Sequence, residues 1–431
     1  MRRAAAALAF GLLVVAPSCH CHGSGATSGP PPGPGATSDR RGPMPYAPCA
    51  NNAALTRAPD APLDLRWRAK IPRADVPWSV EVGPREVFAR YERTLSAFDA
   101  SSGAARWSLT VASGYQLAAV GDAVVYDELE EHPDPSSRDG SVIYSGALVG
   151  RDAASGKERW RLPVQPHIDA LRSAGGRVYF AAGVTRGRGD AHAYAIDVAR
   201  GAVVWDVALA APSVSLVLVE GPTVVALGHR QLTGLDAATG ARSWSVATDV
   251  DDEAGNNVGR RCRNADVSGY EAFSLASTTH IETRTLGTGA LRWRVPLAGR
   301  PHGHLALYAH ARRLIVAFDE IFVTSDPPRP AAGDVGGRLL GVDGVTGALA
   351  WQHDLVLERA DPSERRSFRD AAFAGDQMAF ALDDRLQLVS PCLQRWQTLK
   401  LPGGYGSGLT LNGDAFLVTA PGELVRIGLP P

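Results

Sequence analysis

The chain has 431 residues, a formal net charge of −1 at pH 7 and 21% charged residues. That balance lacks the basic footprint of a nucleic-acid binder. The apolar run Ala4–Ala16 is too short to span a membrane comfortably, and no second hydrophobic span appears. Five cysteines occur, with no C-x-x-C spacing, which excludes the usual zinc arrangements.

In chain order, Arg2 and Arg3 precede the apolar run Ala4–Ala16, a secretory-signal pattern over residues 1–18. It ends in Ala16-Pro17-Ser18-Cys19. A small residue before a Cys here resembles the bacterial lipobox, in which that Cys is lipidated and becomes the mature N-terminus. Ala16 stands where that pattern prefers Leu, and ordinary cleavage near Ser18 with release of a soluble protein is the alternative. Residues 19–63 are expected to form a flexible stalk. Gly23 to Pro48 is dominated by Gly, Ser, Pro, Ala and Thr, a composition that cannot bury a core.

Residues 64–431 read as strands throughout. Asp64–Ile71 is a strand with no companions before it. Trp78–Val82, a Gly83-Pro84 turn, Val87–Tyr91 and a strand ending at Phe98 follow. The same order returns in Val214–Val219, Gly221-Pro222, Val224–Leu227 and Leu232–Leu235. Each unit is therefore four antiparallel strands, a to d.

A phrase joins c to d and repeats along the chain. It reads DASSGAARW (Asp99, Gly103, Trp107), DAASGKERW (Asp152, Gly156, Trp160) and DVARGAVVW (Asp197, Gly201, Trp205). It returns as DAATGARSW (Asp236, Gly240, Trp244) and DGVTGALAW (Asp343, Gly347, Trp351), and eroded as TLGTGALRW at Thr285–Trp293. Weaker copies end at Trp396 and, without the turn, at Trp67. The Asp can accept from nearby backbone N–H groups in an Asx-type turn, and the Gly supplies positive φ. A Trp at one site per repeat is expected to bury a large apolar area between neighbouring units. A period of roughly 40–50 residues marks a propeller, solenoid or array.

The C-terminal segments Leu409–Leu411, Ala415–Thr419 and Glu423–Ile427 read as a, b and c without d. Paired with Asp64–Ile71 they complete one unit and hide both edges. The expectation is all-β, an eight-bladed β-propeller closed by its N-terminal strand.

The phrase resembles the PQQ-type propeller repeat, A-x-D-x-x-T-G-x-x-x-W, from about Asp64 to Ile427. Thr285 in place of Asp and Cys392 in place of Gly are departures at two turns. Two branches of that superfamily bear on function: quinoprotein dehydrogenases, and the non-enzymatic lipoprotein of the outer-membrane β-barrel assembly machine. Many quinoprotein alcohol dehydrogenases carry an adjacent Cys-Cys pair over the quinone, which this sequence lacks, so the resemblance favours the second branch.

Strand order places the a–b and c–d turns at one end of the propeller and the b–c and d–a loops at the other. Long insertions fall at Asp127–Gly140, Val184–Asp190, Glu320–Gly337, Thr248–Ser268 and Val356–Ser367, all at the second end, the expected working surface. Asp127, Glu128, Glu130 and Glu131 read as an acidic solvated loop, as do Asp249, Asp251, Asp252 and Glu253. His302 and His304 have the spacing of a metal pair without a third ligand. Arg188-Gly189-Asp190 reads as a turn, and Gly403–Gly408 opens no helix, so it is no dinucleotide fingerprint. If Cys19 is lipidated, Cys49 and Cys392 form the most reachable disulfide, with Cys262 on the opposite end.

The expected function is that of a non-enzymatic envelope lipoprotein, a monomeric propeller anchored by lipid and scaffolding protein partners such as an outer-membrane β-barrel. No catalytic residue, cofactor or metal is assigned. A PQQ-dependent dehydrogenase is the alternative, and a carbohydrate or small-ligand sensor a second.

Overall fold

The computed structural model describes residues 56–57, 64–71, 79–91, 93–133, 142–164, 168, 171–182, 191–209, 215–228, 230–250, 265–269, 272–277, 279–297, 305–310, 313–319, 335–356, 368–374, 377–382, 385–390, 395–400, 409–412, 415–420 and 422–428. Two N-terminal strands, β1 (Thr56–Arg57) and β2 (Leu65–Lys70), precede the repeats. The first sheet is β3 (Ser79–Val82), β4 (Glu86–Tyr91), β5 (Thr94–Asp99) and β6 (Ala105–Thr110). The second is β7 (Leu117–Val120), β8 (Ala123–Pro133), β9 (Val142–Asp152) and β10 (Glu158–Val164). The third is β11 (Arg172–Ala174), β12 (Arg177–Ala182), β13 (Ala191–Asp197) and β14 (Ala202–Leu209). The fourth is β15 (Ser215–Glu220), β16 (Thr223–Gly228), β17 (Gln231–Asp236) and β18 (Arg242–Ala247). The fifth is β19 (Ala265–Gly269), β20 (Ala272–Ala276), β21 (His280–Thr285) and β22 (Leu291–Pro296). The sixth is β23 (Leu305–His310), β24 (Arg313–Asp319), β25 (Val335–Asp343) and β26 (Leu349–Val356). The seventh is β27 (Phe368–Ala374), β28 (Gln377–Leu382), β29 (Arg385–Ser390) and β30 (Arg395–Lys400). The last comprises β31 (Leu409–Asn412), β32 (Ala415–Ala420) and β33 (Glu423–Gly428).

Each sheet is an antiparallel meander in chain order. The expected joining of the chain ends is observed. β2 pairs antiparallel with β33, with Leu65 opposite Ile427 and Lys70 opposite Glu423, and makes the last sheet four-stranded. β1 adds a fifth strand to the seventh sheet. It runs parallel to β30, with Thr56 opposite Arg395 and Arg57 opposite Trp396.

The a strands lie side by side in sequence. β3 neighbours β7, β7 neighbours β11, and so on through β15, β19 and β23; β24 meets β27, β27 meets β31, and β31 returns to β3. The apolar core sits between sheets. Trp67, Ala69 and Leu424 of the last sheet pack on Val80, Val87 and Phe98 of the first. Phe88 and Leu95 of the first pack on Val124, Tyr126 and Val149 of the second. The next three interfaces repeat the arrangement. Near-continuous apolar runs on the b and c strands explain it: residues on both faces are buried by a neighbour on each side.

One insertion departs from expectation. Asp127–Gly140 is not a loop along its whole length, because β8 and β9 continue as a paired arm out to Pro133 opposite Val142. Asp127 and Glu128 are buried strand residues, whereas Glu130 and Glu131 are exposed. Residues 184–190, 251–264, 320–334 and 357–367 of the other insertions lie outside the described residues.

Candidate interaction surface

The two ends of the sheets are built by different chemistry. At the c–d turns, each Asp side chain organises its own turn. Asp99 Oδ1 accepts from the N–H groups of Ser101 and Ser102, both at 3.0 Å. Asp152 accepts from Ser155 N–H at 2.8 Å, Asp197 from Arg200 at 3.0 Å, Asp236 from Thr239 at 2.8 Å and Asp343 from Thr346 at 2.7 Å. Hydrogen bonds from Ser101 and Arg106 hold the Asp99 carboxyl well below the ordinary range, and those from Arg159 and Ser155 bring Asp152 down to about 2.

Six of the Trp side chains reach the next sheet's turn. Trp67 Nε1 donates to Ala100 O, Trp107 to Ala153 O, Trp160 to Val198 O, Trp205 to Ala237 O, Trp244 to Leu286 O and Trp293 to Gly344 O, over 2.7–3.2 Å. The turn Gly lies flat on that same ring. Gly201 has φ +64°, and a Cβ there would stand 2.3 Å from the Trp160 ring. At Gly103, Gly156, Gly240 and Gly347 the corresponding ring is Trp67, Trp107, Trp205 and Trp293. The Gly thus serves two needs, a left-handed backbone and a flat seat for a neighbour's indole.

Two elements of this girdle are not evident from the phrase alone. In every sheet but the seventh, the residue before the Trp is a β-bulge, skipped by the ladder, as Arg106 is between Ala105 and Trp107. Its side chain is therefore free to turn back. Arg106 and Arg159 bind the turn carboxylates of Asp99 and Asp152 at 2.6 and 2.7 Å, and Arg66 binds Asp64 at 2.8 Å. Where Thr285 replaces Asp, Arg292 Nε donates to its hydroxyl at 3.2 Å. The second element is a small residue on strand c opposite the Trp. Gly150, Gly234 and Gly341 face Trp160, Trp244 and Trp351, and a Cβ at Gly150 would fall 2.1 Å from the Trp160 ring.

The opposite, insertion-bearing end is held by buried charge. Arg90 at the end of β4 is fully buried and pairs with buried Asp127 of β8 at 2.7 Å. Its other nitrogen donates to Asp127 O at 2.6 Å, and the guanidinium also reaches the carbonyls of Gln116 and Ala112. Asp127 Oδ1 accepts from Tyr115 and Gln116 N–H at 2.8 and 2.7 Å, so the pair grips the d–a connection between the first two sheets. Burial pushes the Asp127 carboxyl up, while Arg90 and the two N–H groups pull against it. Beneath, Arg90 lies over the Tyr126 ring, whose hydroxyl burial raises to about 12.

A second network lies where the Thr248–Ser268 insertion leaves β18. Fully buried Glu282 accepts from Arg284 at 2.7 Å, Arg294 at 2.7 Å and Thr248 Oγ1 at 2.8 Å. Arg294 extends it to Asp249 at 2.6 Å. Burial opposes the charge on Glu282, but the bonds from Arg284, Arg294 and Thr248 outweigh it and hold its carboxyl below the ordinary glutamate range. His280 lies beside it, buried, its Nδ1 met by the hydroxyls of Ser277 and Thr279 and its Nε2 without a hydrogen-bond partner. Burial first, and Arg294 second, lower the His280 pKa.

Among the described residues, no three His, Cys, Asp or Glu side chains converge as a metal site, and no helix is long and apolar enough to cross a membrane. Cys19, Cys49, Cys262, Cys392, His302, His304, Arg188–Asp190 and Gly403–Gly408 lie outside the described residues.

The family described as outer membrane protein assembly factor BamB matches residues 144–325, less than half of the chain. No curated protein sequence matches the chain. Among solved structures, BamB from Moraxella catarrhalis is similar with a TM-score of 0.59 at 14% identity, covering 85% of this chain and 100% of that one. Sqt1 from Saccharomyces cerevisiae gives 0.58 at 10% identity, covering 86% and 100%. Quinohemoprotein alcohol dehydrogenase ADHIIG from Pseudomonas putida HK5 gives 0.53 at 11% identity, covering 88% and 78%. Because these three share a fold at such low identity, the likeness carries architecture and not activity. The resemblance to the PQQ-type, BamB-like β-propeller family, first carried by the Asp–Gly–Trp phrase, is borne out by the match over residues 144–325 and by the Moraxella fold.

Proposed function

We propose that this chain is an exported lipoprotein: an eight-bladed PQQ-like propeller, residues 64–431, on a stalk of residues 19–63 anchored at Cys19. It acts as a non-enzymatic scaffold for protein partners at the bacterial envelope, in the setting of outer-membrane protein assembly. The observation that carries the reading is the unlike construction of the two ends. Short turns locked by Asp, Gly and Trp make one end a rigid base. Insertions rooted in buried Arg90–Asp127 and Glu282–Arg294 make the other a presenting surface. The BamB family match and the BamB fold support the same reading.

The test is a benzophenone amino acid placed at exposed Glu131, on the β8–β9 arm, followed by irradiation of intact cells. Adducts with an envelope protein are expected, and their absence would overturn the scaffold reading. Cys19→Ser is expected to release the protein from the membrane fraction or leave it unprocessed. We also propose a Cys49–Cys392 disulfide. Thr56 pairs with Arg395, which brings the stalk to the strand that follows Cys392. Peptide mapping without reductant that finds both thiols free would refute it.

The likeness to the Pseudomonas dehydrogenase supports the alternative, a quinone-dependent enzyme. Titration with pyrroloquinoline quinone and calcium separates the two. No stoichiometric binding is expected, and alcohol or sugar oxidation on reconstitution would displace the scaffold reading.

A further inference from the structure

Six large apolar side chains are exposed among the described residues: Leu65, Val203, Val204, Leu291, Val345 and Leu349, between 36% (Val204) and 52% (Val345). Single exposed apolar residues are ordinary. Their placement here is not scattered. Leu65, Leu291 and Leu349 are the first residues of β2, β22 and β26. Val203 and Val204 stand near the start of β14, and Val345 lies within a c–d turn. All six belong to the c–d turn end, and none to the insertion-bearing end. Four of them occupy one repeat position, two residues before the Trp, where other copies place Ala105, Glu158 and Arg242. The strand ladder has no use for an apolar group there, since the position is exposed in every described copy.

The chain's own path meets this end. β1 is parallel to β30, and Thr56 pairs with Arg395, the first residue of β30 after its turn. Thr56, the first residue of β1, thus lies at the c–d turn end of the seventh sheet. Eight residues later, Asp64 enters β2 at the same end, next to exposed Leu65. The stalk is thus fixed twice on the apolar end. The sixth sheet, which carries Val345 and Leu349, and the last, which carries Leu65, are the neighbours of the seventh, where β1 docks.

We infer that the c–d turn end rests on a lipid bilayer, with Leu65, Leu291, Val345 and Leu349 entering the headgroup boundary. This deepens the lipoprotein reading and rests on it: an anchor at Cys19 would bring the bilayer to the side from which the stalk arrives. Apolar side chains on a rim of polar residues then add a shallow contact of their own to a single lipid attachment. The insertion-bearing end is left facing away from the membrane.

The test uses the full processed chain, with a benzophenone amino acid placed singly at Leu291, at Leu349 or at Glu131. Each protein is irradiated in intact cells and on vesicles of phosphatidylethanolamine and phosphatidylglycerol. Lipid adducts are expected at positions 291 and 349, several-fold above position 131. Circular dichroism on each variant confirms the fold. The mass of the N-terminal peptide reports acylation separately, so a failure of the anchor and a failure of the face are distinguishable. An acylated protein without lipid adducts at 291 and 349, equal adducts at 131, or protein adducts in their place overturns the inference.

Discussion

Gly201 offers a direct measure of what couples one sheet to the next. Its φ of +64° sets a conformational penalty on any side chain, and its closeness to Trp160 sets a steric one. Two other glycines separate these terms. Gly221, in an a–b turn, has φ +53°, and a methyl added there would meet nothing within 4 Å. Gly150 lies outside the left-handed region, yet its Cβ would fall 2.1 Å from the Trp160 ring. Gly221→Ala should therefore cost only the left-handed term, about 1–2 kcal/mol. Gly150→Ala should cost only the overpacking term, about 1–3 kcal/mol. Gly201→Ala carries both, about 2–5 kcal/mol in sum. The assay is urea unfolding followed by tryptophan fluorescence, with the slope checked for constancy between variants. Because the Trp160 Cβ would itself stand 2.6 Å from the added methyl, the cycle replaces the whole side chain: Trp160→Gly alone is damaging, but in that background Gly201→Ala should cost no more than Gly221→Ala does. A double-mutant cycle without coupling between Trp160 and Gly201 would refute the argument that the glycine is a seat for the indole.

Three further outcomes follow from the charged networks. Arg90→Met or Asp127→Asn alone strands a buried partner and should cost about 3–5 kcal/mol in urea unfolding, whereas the double replacement Arg90→Met with Asp127→Asn, which removes both charges and keeps an oxygen for the Tyr115 and Gln116 N–H groups, should recover part of that loss. His280 has a lowered folded pKa, so its contribution is present above its unfolded value of 6.5 and is lost as pH falls below it; stability measured from pH 7 to 5 should decline, and His280→Gln should flatten that limb. Asp152, lowered to about 2, contributes stability above its unfolded value of 3.8 that is lost as pH falls towards 2, so Asp152→Asn should remove part of the acid transition seen by fluorescence below pH 4.

The strand cadence and the Asp–Gly–Trp turns are legible in the sequence because each is a local event. An Asx turn needs only residues two and three positions on, and alternation needs only its own strand. The joining of β2 to β33 is legible for a different reason: two incomplete repeats can each hide an edge only by pairing with the other. What escapes the local reading involves partners distant along the chain. Arg90 and Asp127 are 37 residues apart, and a solitary Arg in an apolar strand carries no mark of the carboxylate it will meet. The acidic run from Asp127 looks uniform in sequence, yet register divides it. Its first two members fall within the sheet and are buried, while Glu130 and Glu131 emerge on the arm. Glu282 sits in the eroded repeat, where nothing in the phrase announces a buried carboxylate held by Arg284, Arg294 and Thr248 from two sheets. The glycines opposite Trp160, Trp244 and Trp351 show the intermediate case. Their recurrence ten residues before each Trp is visible, but its meaning is not, until the bulge at the residue before the Trp sets which side chain the ring faces. Repeats thus disclose the parts that every unit shares. The features that make this propeller individual, its rooted insertions and its apolar rim, lie in the positions where the copies differ.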